Sequence, residues 1–255
     1  MEIQKTDFVQ SLEKGLNVLQ AFDSEDVEMT LTEVAKKVDI TRANARRILL
    51  TLQHLGFVNC RSGKMFSLAP KVLSLGYSYL SSLPFRKLAL PYMQELTKEL
   101  NESCSMSVLD EMDIVYVARV QTKRIMTISL AVGTRLPAIS TSMGKVLIAG
   151  LNPEEVEKKL AQVEFESYTP KSLSRIDFIN QLQEIRSQGW AISDEELEVG
   201  VRSLAVPVHD KNNKVIAALN ISGHASRVSV KNMKKSYLPA LQHTVSEIEK
   251  TLTLL

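Results

Sequence analysis

Cysteines and long apolar runs are both scarce in this chain of 255 residues. The two cysteines, Cys60 and Cys104, are too few for a disulfide framework, and neither has a second Cys or a His at metal-ligand spacing. No apolar run approaches the length of a membrane span, and the first residues, MEIQKTDFVQ, lack the apolar core of a signal peptide. We therefore expect a cytoplasmic protein with no metal site and no membrane partner.

Common catalytic motifs are absent as well. The sequence contains no H-E-x-x-H, G-x-S-x-G or G-x-G-x-x-G pattern, and the segment SMGK lacks the glycine that a phosphate-binding loop requires. The adjacent acids Asp194, Glu195 and Glu196 are interpreted as a solvated turn or an inter-domain contact rather than as acid–base catalysts. The sequence thus predicts no catalytic residues, no cofactor and no enzyme. The alternative is a small-molecule hydrolase or transferase in the C-terminal domain.

Acidic side chains are missing from one long stretch of the chain. Residues 40–94 contain no Asp or Glu, whereas residues 1–39 hold nine acidic and four basic residues. Ordinary exposed surfaces mix both signs of charge, so an acid-free basic block indicates contact with the phosphates of a nucleic acid. The eight basic residues of this block are Arg42, Arg46, Arg47, Arg61, Lys64, Lys71, Arg86 and Lys87.

The block begins with an amphipathic helix predicted from Thr41 to Leu55. One face is apolar, and the other is small and rich in arginine, which suits insertion into a DNA major groove where arginine reads guanine. By itself the helix is explained equally well as an ordinary amphipathic helix with a solvated basic face. The apolar face comprises Ala45, Ile48, Leu49, Leu52 and Leu55, and the predicted DNA contacts on the helix are Thr41, Arg42, Ala43, Asn44, Arg46 and Arg47.

The segments around this helix favour the DNA-binding interpretation. Ser11 is predicted to cap a first helix with Leu12, Leu16, Leu19 and Phe22 on its apolar face, and Thr30 with Glu33 forms a capping box for a second. Gly56 is expected to end the basic helix in a left-handed conformation. Two short strands, Phe57–Cys60 and Met65–Leu68, then enclose a turn with Arg61 and Lys64, which are placed on the DNA backbone. Residues 1–69 are therefore predicted to form a winged helix-turn-helix.

The rest of the chain is divided into a linker helix over 70–83 and a domain over 84–255. The linker segment is apolar and carries little charge, which predicts a self-association surface, with packing on its own N-terminal module as the alternative. The larger part mixes strands and helices and is predicted to be an α+β domain with a largely antiparallel sheet covered by helices. Its first three predicted strands are Ser103–Leu109, Ile114–Val120 and Ile125–Ala131.

The whole sequence resembles the IclR-type transcription regulators. The matching segments are SLEKGLNVLQAF, TLTEVAKKVDITRANARRILLTLQHLGFV, LPAISTSMGKVLIAGL and ISDEELEVGVRSLAVPVHDKNNKVIAALNISG. The phrases TRANARRILLTL and VGTRLPAISTSMGK are most similar to regulators of the β-ketoadipate (protocatechuate and 4-hydroxybenzoate) branch of aromatic-acid breakdown. The resemblance implies a double-stranded DNA operator, a GAF-like effector domain and a homodimer or dimer of dimers, with RNA polymerase as a candidate partner.

The resemblance also implies an effector pocket in the C-terminal domain. Several IclR-type members carry Asp at the position of Ser193 and Cys at that of Ser203, so their effector chemistry does not transfer to this chain. Arg135 and Arg202 are supporting candidates for a carboxylate anchor, each explained equally well by a salt bridge. The residues carried over as effector contacts are Ile125, Ile128, Leu136, Ser142, Met143, Ser193, Val201, Ser203, Asn220 and Ser222.

The chemistry of these residues supports a carboxylate-binding pocket independently of the resemblance. The backbone N–H groups of Ser142, Met143 and Gly144 lie at a predicted helix N-terminus, which favours a carboxylate. The alternative is plain capping of that helix by the Ser/Thr cluster. We therefore expect a transcription regulator that binds protocatechuate, 4-hydroxybenzoate, β-ketoadipate or a similar small carboxylate. The alternatives are an IclR-type regulator of another carbon-source pathway with a short-chain keto acid effector, and an architectural DNA-binding protein without an effector.

Overall fold

The computed structural model describes residue 4, residues 6–122 and residues 130–254. The chain divides into two units, Met1–Ser82 and Leu83–Leu255, each with its own core. Within the described residues, no helix is both long enough and apolar enough to cross a lipid bilayer.

The first unit combines helices with a small antiparallel sheet. Its elements are α1 (Gln10–Gln20), β1 (Met29–Thr30), α2 (Leu31–Lys37), α3 (Arg42–His54), β2 (Val58–Arg61) and β3 (Met65–Leu68). The strand order is β1-β3-β2, and the core lies between the helices and the sheet, where Val18, Val34, Leu49 and Phe66 are buried. This is the predicted winged helix-turn-helix. Strand β1 was not predicted, because two residues are too short to show an alternating pattern.

The predicted capping residues of α2 and α3 are confirmed. Thr30 Oγ1 accepts a hydrogen bond from the Glu33 amide at 3.3 Å, and the Glu33 carboxylate accepts one from the Thr30 amide at 2.7 Å. Thr41 Oγ1 likewise accepts from the Asn44 amide at 3.3 Å. Because each cap satisfies an amide that has no partner within the helix, the local sequence sets where both helices begin.

The end of α3 is also set locally. Gly56 has φ +81°, its amide donates to the Gln53 carbonyl at 3.0 Å, and the Phe57 amide donates to the Leu52 carbonyl at 2.8 Å. These two bonds form a Schellman motif, as the predicted left-handed glycine requires. The prediction that Leu55 belongs to the buried stripe is wrong: its side chain is exposed, because it lies at the cap where the chain turns away.

Helix α1 differs from its prediction. It begins at Gln10 without a side-chain cap, so the expected cap by Ser11 is wrong. Val18 and Phe22 are buried against the core, whereas Leu12 and Leu16 are 60% and 48% exposed. Only the C-terminal half of the predicted apolar face packs within this unit.

The linker segment forms a 3-10 turn, Pro70–Val72, followed by α4 (Leu73–Ser81). No residue of α4 is buried, and Leu73 and Tyr77, one helical turn apart, are 76% and 73% exposed. The alternative that this helix buries its apolar side chains on its own N-terminal module is therefore wrong.

Among the described residues, the second unit is built on one antiparallel sheet of six strands in the order β6-β5-β4-β9-β8-β7. Helices α5 and α10 pack on each other and on the sheet, and α6 packs on α8 and on the sheet, so the predicted α+β class is confirmed. The strands are β4 (Ser103–Asp110), β5 (Asp113–Val120), β6 (Arg135–Pro137), β7 (Ala191–Asp194), β8 (Val201–His209) and β9 (Val215–His224). The helices are α5 (Pro84–Leu100), α6 (Ser142–Ala149), α7 (Pro153–Leu160), α8 (Arg175–Gln188), α9 (Val230–Asn232) and α10 (Leu238–Leu252).

Several predictions for this unit can be compared with the structure directly. The strands expected over Ser103–Leu109 and Ile114–Val120 are confirmed to within one residue at each end. The predicted strand Ile125–Ala131 falls mostly outside the described residues. The sequence also predicts one amphipathic helix from about Lys231 to Leu252, but a π-helical turn over Met233–Tyr237 separates α9 from α10.

Candidate nucleic-acid interface and ligand cavity

The outer face of α3 carries three exposed arginines. Arg42, Arg46 and Arg47 are exposed, and their side chains form no hydrogen bond or ion pair with any residue that the structure describes. Thr41 and Ala43 are exposed on the same helix, and Asn44 is half-buried. Because α3 buries Ala45, Leu49 and Leu52 on its other side, it presents this basic face outward.

The hairpin after α3 carries the two predicted backbone contacts. Ser62 and Gly63 both have positive φ in the turn between β2 and β3, which places Arg61 and Lys64 at its two sides. The Arg61 guanidinium lies 2.9 Å from the Glu28 carboxylate, although the arginine side chain is 74% exposed. Lys64 is exposed and has no side-chain partner within the described ranges. To contact a DNA phosphate, Arg61 must therefore break its ion pair with Glu28. Lys64 has no such ion pair within the described ranges.

Two other members of the basic block have structural roles instead. Lys71 Nζ donates to the Leu55 carbonyl at 2.8 Å and lies 5.0 Å from the centre of the Phe57 ring, so it closes the end of α3. Arg86 Nε donates to the Val117 carbonyl at 2.7 Å in the second unit. Counting every cation in the acid-free stretch therefore overestimates how many are available to contact DNA.

A cavity of about 80 Å³ lies in the second unit. Strands β5 to β9, the segment before α6 and the loop after β7 all contribute side chains to it. Six predicted effector contacts lie in its wall: Leu136, Ser193, Val201, Ser203, Asn220 and Ser222. Six further lining residues were not predicted: Tyr116, Leu130, Ser140, Thr141, Leu197 and Glu198. Of these, Tyr116 stands on a correctly predicted strand, and its alternating position is the signal that could have found it.

Two of the remaining predicted contacts, Ser142 and Met143, are not in the described wall of the cavity. Met143 is fully buried, and its sulfur accepts a hydrogen bond from the Ser107 hydroxyl at 3.2 Å, which places it in the core. Ser142 is fully buried and contacts the cavity wall indirectly, through Ser203. Ile125 and Ile128 lie outside the described residues.

Strand register gathers serine side chains into one row across the sheet. Ser222 on β9 lies opposite Ser103 on β4 and Ser203 on β8, and Ser203 lies opposite Ser193 on β7. Directly opposed residues on antiparallel strands share a face, so the four hydroxyl groups stand side by side. This row could not be predicted from spacing alone, because it depends on how four separate strands align.

Two of these hydroxyl groups, those of Ser203 and Ser193, hold the start of α6 against the sheet. The Ser142 and Ser203 oxygens lie 2.7 Å apart, and the Ser193 hydroxyl donates to the Ser140 carbonyl at 2.9 Å. Gly144 packs equally closely on the 3-10 turn before α6, because a Cβ atom on it would lie 2.1 Å from the Ala138 carbonyl oxygen. Only glycine fits at this position, because the obstructing atoms belong to the backbone.

The N-terminus of α6 is capped by its own chain. Thr141 Oγ1 accepts a hydrogen bond from the Gly144 amide at 3.1 Å. The Gly144 N–H is therefore engaged, as the capping alternative predicted, and the expectation that it faces a ligand carboxylate is wrong.

A buried ion pair joins α6 to the loop after β7. Lys145 is fully buried, and its ammonium lies 2.6 Å from the Glu196 carboxylate and 2.9 Å from Gln181 Oε1 on α8. Burial lowers the pKa of Lys145 and raises the pKa of Glu196, in each case against the attraction of the partner charge. The interpretation of this acidic run as a solvated turn is wrong for Glu196, which is 5% exposed.

The loop that follows β7 is fastened at several points. Thr169 Oγ1 donates to the Glu195 carbonyl at 2.6 Å, and Ser172 Oγ donates to the Glu196 carbonyl at 2.8 Å. The Glu195 carboxylate accepts from the Gly200 amide at 2.8 Å, and both of these residues have positive φ. This loop carries Leu197 and Glu198 into the cavity wall, so the acidic run sets part of the cavity's shape.

Arg135 and Arg202, the supporting candidates for a carboxylate anchor, both form salt bridges, as the alternative interpretation predicted. Arg135 is exposed and pairs with Asp110 and Asp113 at 2.5 and 3.1 Å. Arg202 is buried, pairs with Asp194 at 2.5 Å and donates to the Ala225 carbonyl at 3.1 Å. Neither is among the residues found in the cavity wall.

Comparison with known proteins identifies matches to both units. The family model for the IclR helix-turn-helix domain matches residues 11–60, and the model described as bacterial transcriptional regulator IclR C-terminal matches residues 77–250. The Pca regulon regulatory protein of Pseudomonas putida is 39% identical over 237 residues, which cover 92% of this chain and 81% of that protein.

Two further matches extend this result. The p-hydroxybenzoate hydroxylase transcriptional activator of Acinetobacter baylyi is 33% identical over 253 residues, covering 97% of this chain and 93% of that protein. The crystal structure of a transcriptional regulator from Rhodococcus sp. RHA1 is 43% identical, with a TM-score of 0.86, and covers 97% of this chain and 99% of that one. The resemblance to regulators of aromatic-acid breakdown is confirmed.

The ion pair between Lys145 and Glu196 generates a stability prediction. Glu196→Ala leaves a buried ammonium without its counter-charge, so we expect the free energy of unfolding to fall by about 3–5 kcal/mol in urea titrations followed by circular dichroism. The double variant Lys145→Met with Glu196→Leu replaces both charges by apolar groups and is expected to recover most of that loss. Glu247→Ala, which removes an exposed partner of Lys250, is the control and should cost about 0–1 kcal/mol. An equal effect of Glu196→Ala and the control would contradict a stabilising role for the buried pair.

Proposed function

Because the chain belongs to the IclR family of bacterial DNA-binding transcription regulators, we propose that it reads its operator with α3 and the β2–β3 hairpin. The observation that carries this proposal is the outward face of α3, where three arginines are exposed and form no hydrogen bond or ion pair with the described part of the chain. The first turns of α3 enter the major groove, with Thr41, Arg42, Ala43, Asn44, Arg46 and Arg47 at base edges and flanking phosphates. Arg61 and Lys64 contact the backbone.

Arg46 is the best test of base reading. Arg46→Ala is expected to weaken operator binding by about 1–3 kcal/mol and to relax sequence preference, because a bidentate contact to guanine is lost. Lys64→Ala is the matched control: a lost phosphate contact should weaken binding to the operator and to unrelated duplexes by the same factor. Both are measured by fluorescence anisotropy at fixed moderate salt, with an operator selected from the DNA upstream of the adjacent genes. Unchanged operator affinity of Arg46→Ala would show that α3 is not the recognition helix.

We propose that the working form is a homodimer or a dimer of dimers on a palindromic or repeated operator. The support is the apolar surface on α4, where Leu73, Leu75, Tyr77 and Tyr79 are between 48% and 76% exposed. Isolated exposed apolar residues are normal, but a helix that buries none of its own apolar side chains is typical of an interface between chains. A dimer also matches paired half-sites, since each half-site receives one recognition helix.

Tyr77→Asp tests this interface. A charge in the middle of the α4 surface is expected to lower the molar mass measured by light scattering and to weaken operator binding at least tenfold, since the two half-sites are then no longer bound as a unit. Tyr168→Asp, at an exposed tyrosine of the second unit, is the control and should leave both quantities unchanged. If Tyr77→Asp keeps the mass and the affinity of the unaltered protein, α4 is not the interface.

We propose that the cavity of the second unit binds a small organic acid, an aromatic acid or a related metabolite of its breakdown. The support is the family relationship together with the six carried-over residues in the cavity wall. At about 80 Å³ the cavity is smaller than a typical ligand pocket, so binding must move its walls apart. Those walls include the loop after β7 and the segment before α6, and their displacement, passed on through the linker helix, biases the arrangement of the paired DNA-binding units.

This role places the protein in the bacterial cytoplasm, with DNA and the effector acid as partners and RNA polymerase as a further candidate. The relatives are transcription regulators rather than enzymes, and we propose no catalytic activity. A short-chain keto acid is the alternative effector.

Calorimetry on the full chain with protocatechuate, 4-hydroxybenzoate, β-ketoadipate and pyruvate tests the effector site. For whichever acid binds, Ser203→Leu is expected to lower affinity at least tenfold, because leucine fills part of the cavity and leaves the Ser142 hydroxyl without a partner. Ser187→Leu, on the exposed side of α8, is the control. Undiminished affinity of Ser203→Leu would remove Ser203 from the site, and a failure of every acid to bind or to alter DNA binding would favour an architectural protein without an effector.

A further inference from the structure

A second acid-free stretch of sequence lies in the second unit. Residues 211–246 contain six Lys and Arg residues and no Asp or Glu. Three of the lysines, Lys231, Lys234 and Lys235, lie in α9 and in the π-helical turn that follows it. Residues three and four positions apart are neighbours on a helix surface, so these three side chains form one group, here called the lysine patch.

The packing of this segment turns the lysine patch outward. Met233 is fully buried and Tyr237 is 9% exposed, whereas all three lysines are exposed. Lys234 Nζ lies 5.1 Å from the centre of the Trp190 ring, a cation–π contact that leaves its charge uncompensated. None of the three lysines forms a side-chain hydrogen bond or an ion pair with a residue that the structure describes.

The acids beside the lysine patch do not neutralise it. Lys234 shares a groove with Glu184 and Asp194 but forms an ion pair with neither of them. Asp194 instead pairs with Arg202 at 2.5 Å and with Lys171 at 3.2 Å. Cations three and four residues apart on a helix repel one another, so the patch lowers the stability of its own segment. A local charge arrangement that opposes folding is typical of a surface with a function.

The composition of the surface around the lysine patch indicates the chemical class of its partner. The other exposed polar residues of the segment are Ser229, Asn232 and Ser236, and no large apolar side chain is exposed in the fully described range 200–253. Protein interfaces have an apolar centre and are depleted in lysine, whereas contacts to DNA phosphates use Lys together with Ser and Asn. The surface therefore fits the phosphates of a nucleic acid better than an acidic protein.

We propose that the lysine patch is a second DNA-contacting surface, which binds phosphates of the duplex in addition to the contacts of α3 and the β2–β3 hairpin. The chain belongs to a family of DNA-binding regulators, and its two units are covalently joined. Duplex held by the first unit is therefore present at a high effective concentration for the second. The patch raises affinity for any duplex, because phosphate contacts carry no sequence information. This inference goes beyond operator reading by α3 and does not require it.

Replacing the three lysines together in the full chain tests the lysine patch. The triple variant Lys231→Gln, Lys234→Gln and Lys235→Gln is titrated by fluorescence anisotropy with an operator duplex extended on each side by about two helical turns of unrelated sequence. Affinity at moderate salt is expected to fall at least about tenfold, and the slope of log K against log salt concentration to become shallower by about 2–3. An unrelated duplex of equal length should lose affinity by the same factor.

The matched control removes three charges elsewhere in the same unit. Lys158 is exposed on α7, and Lys211 and Lys214 are exposed in the turn between β8 and β9. The variant Lys158→Gln, Lys211→Gln and Lys214→Gln lowers the net charge by the same amount, so it separates direct contacts from the long-range field of the protein. Its salt slope is expected to equal that of the unaltered protein.

Folding of the variants is measured separately by circular dichroism and thermal melting. Glutamine forms helices about as well as lysine and removes the repulsion, so the melting temperature is expected to stay unchanged or to rise. The double variant Lys231→Gln with Lys235→Gln keeps the contact between Lys234 and Trp190 and provides a second test. Its salt slope is expected to become shallower by about 2.

Three results would overturn the inference: equal losses of affinity in the patch variant and the control, an unchanged salt slope in both patch variants, or an altered preference for the operator over the unrelated duplex. An unchanged slope would leave a solvated lysine face or a site for an acidic protein. Arg46→Ala alters the operator preference and the patch variants do not, so failure of this inference is distinguishable from failure of operator reading by α3.

Discussion

The close contact between the N-terminus of α6 and the row of serine hydroxyls is the constraint on which the second unit depends. Ser142 and Ser203 share a hydrogen bond, and Gly144 lies against the backbone at Ala138, where no larger residue fits. Lys145, the next residue, carries its charge into the interior and meets Glu196 at the start of the loop that lines the cavity. Ser142, Gly144 and Lys145 therefore connect helix, sheet and loop through packing and buried polar bonds.

In the proposed effector role, this arrangement connects ligand recognition to movement. A buried ion pair contributes little net stability compared with apolar packing, but it strongly penalises any geometry that separates its charges. Here it holds the loop after β7 in one position relative to α6, while Thr169 and Ser172 hold the same loop by its carbonyl groups. A ligand that enlarges the cavity must displace elements held in this way. Its binding energy is then passed to the surrounding structure rather than absorbed by a flexible side chain.

In the first unit, surface charge matters more than buried contacts. The proposed recognition face presents charges that have no partner among the described residues: Arg42, Arg46 and Arg47 form no ion pair there, whereas Asp23 and Asp26 of the preceding acidic loop both pair with Lys37. Hydrogen bonds from Lys37 and from two backbone amides hold the pKa of Asp23 at about 2. Asp23 thus stays ionised and paired with Lys37 on α2. Separation of the two signs of charge is what leaves a positive surface for phosphates.

Local sequence determined the helix caps and the basic helix face, because these features depend only on residues close together along the chain. The capping box at Thr30, the cap at Thr41, the Schellman glycine at Gly56 and the basic face of α3 each depend on residues within one or two helical turns, and each was predicted correctly. The family and the α+β class also followed from sequence, because a collinear match carries the whole arrangement with it. Only the tertiary structure decided that Glu196 is buried against Lys145, that Met143 is core, that Leu12 stays exposed and that Tyr116 and Leu197 enter the cavity wall. Each of these outcomes depends on register and packing between distant segments, and the spacing of residues along one chain carries no information about that alignment.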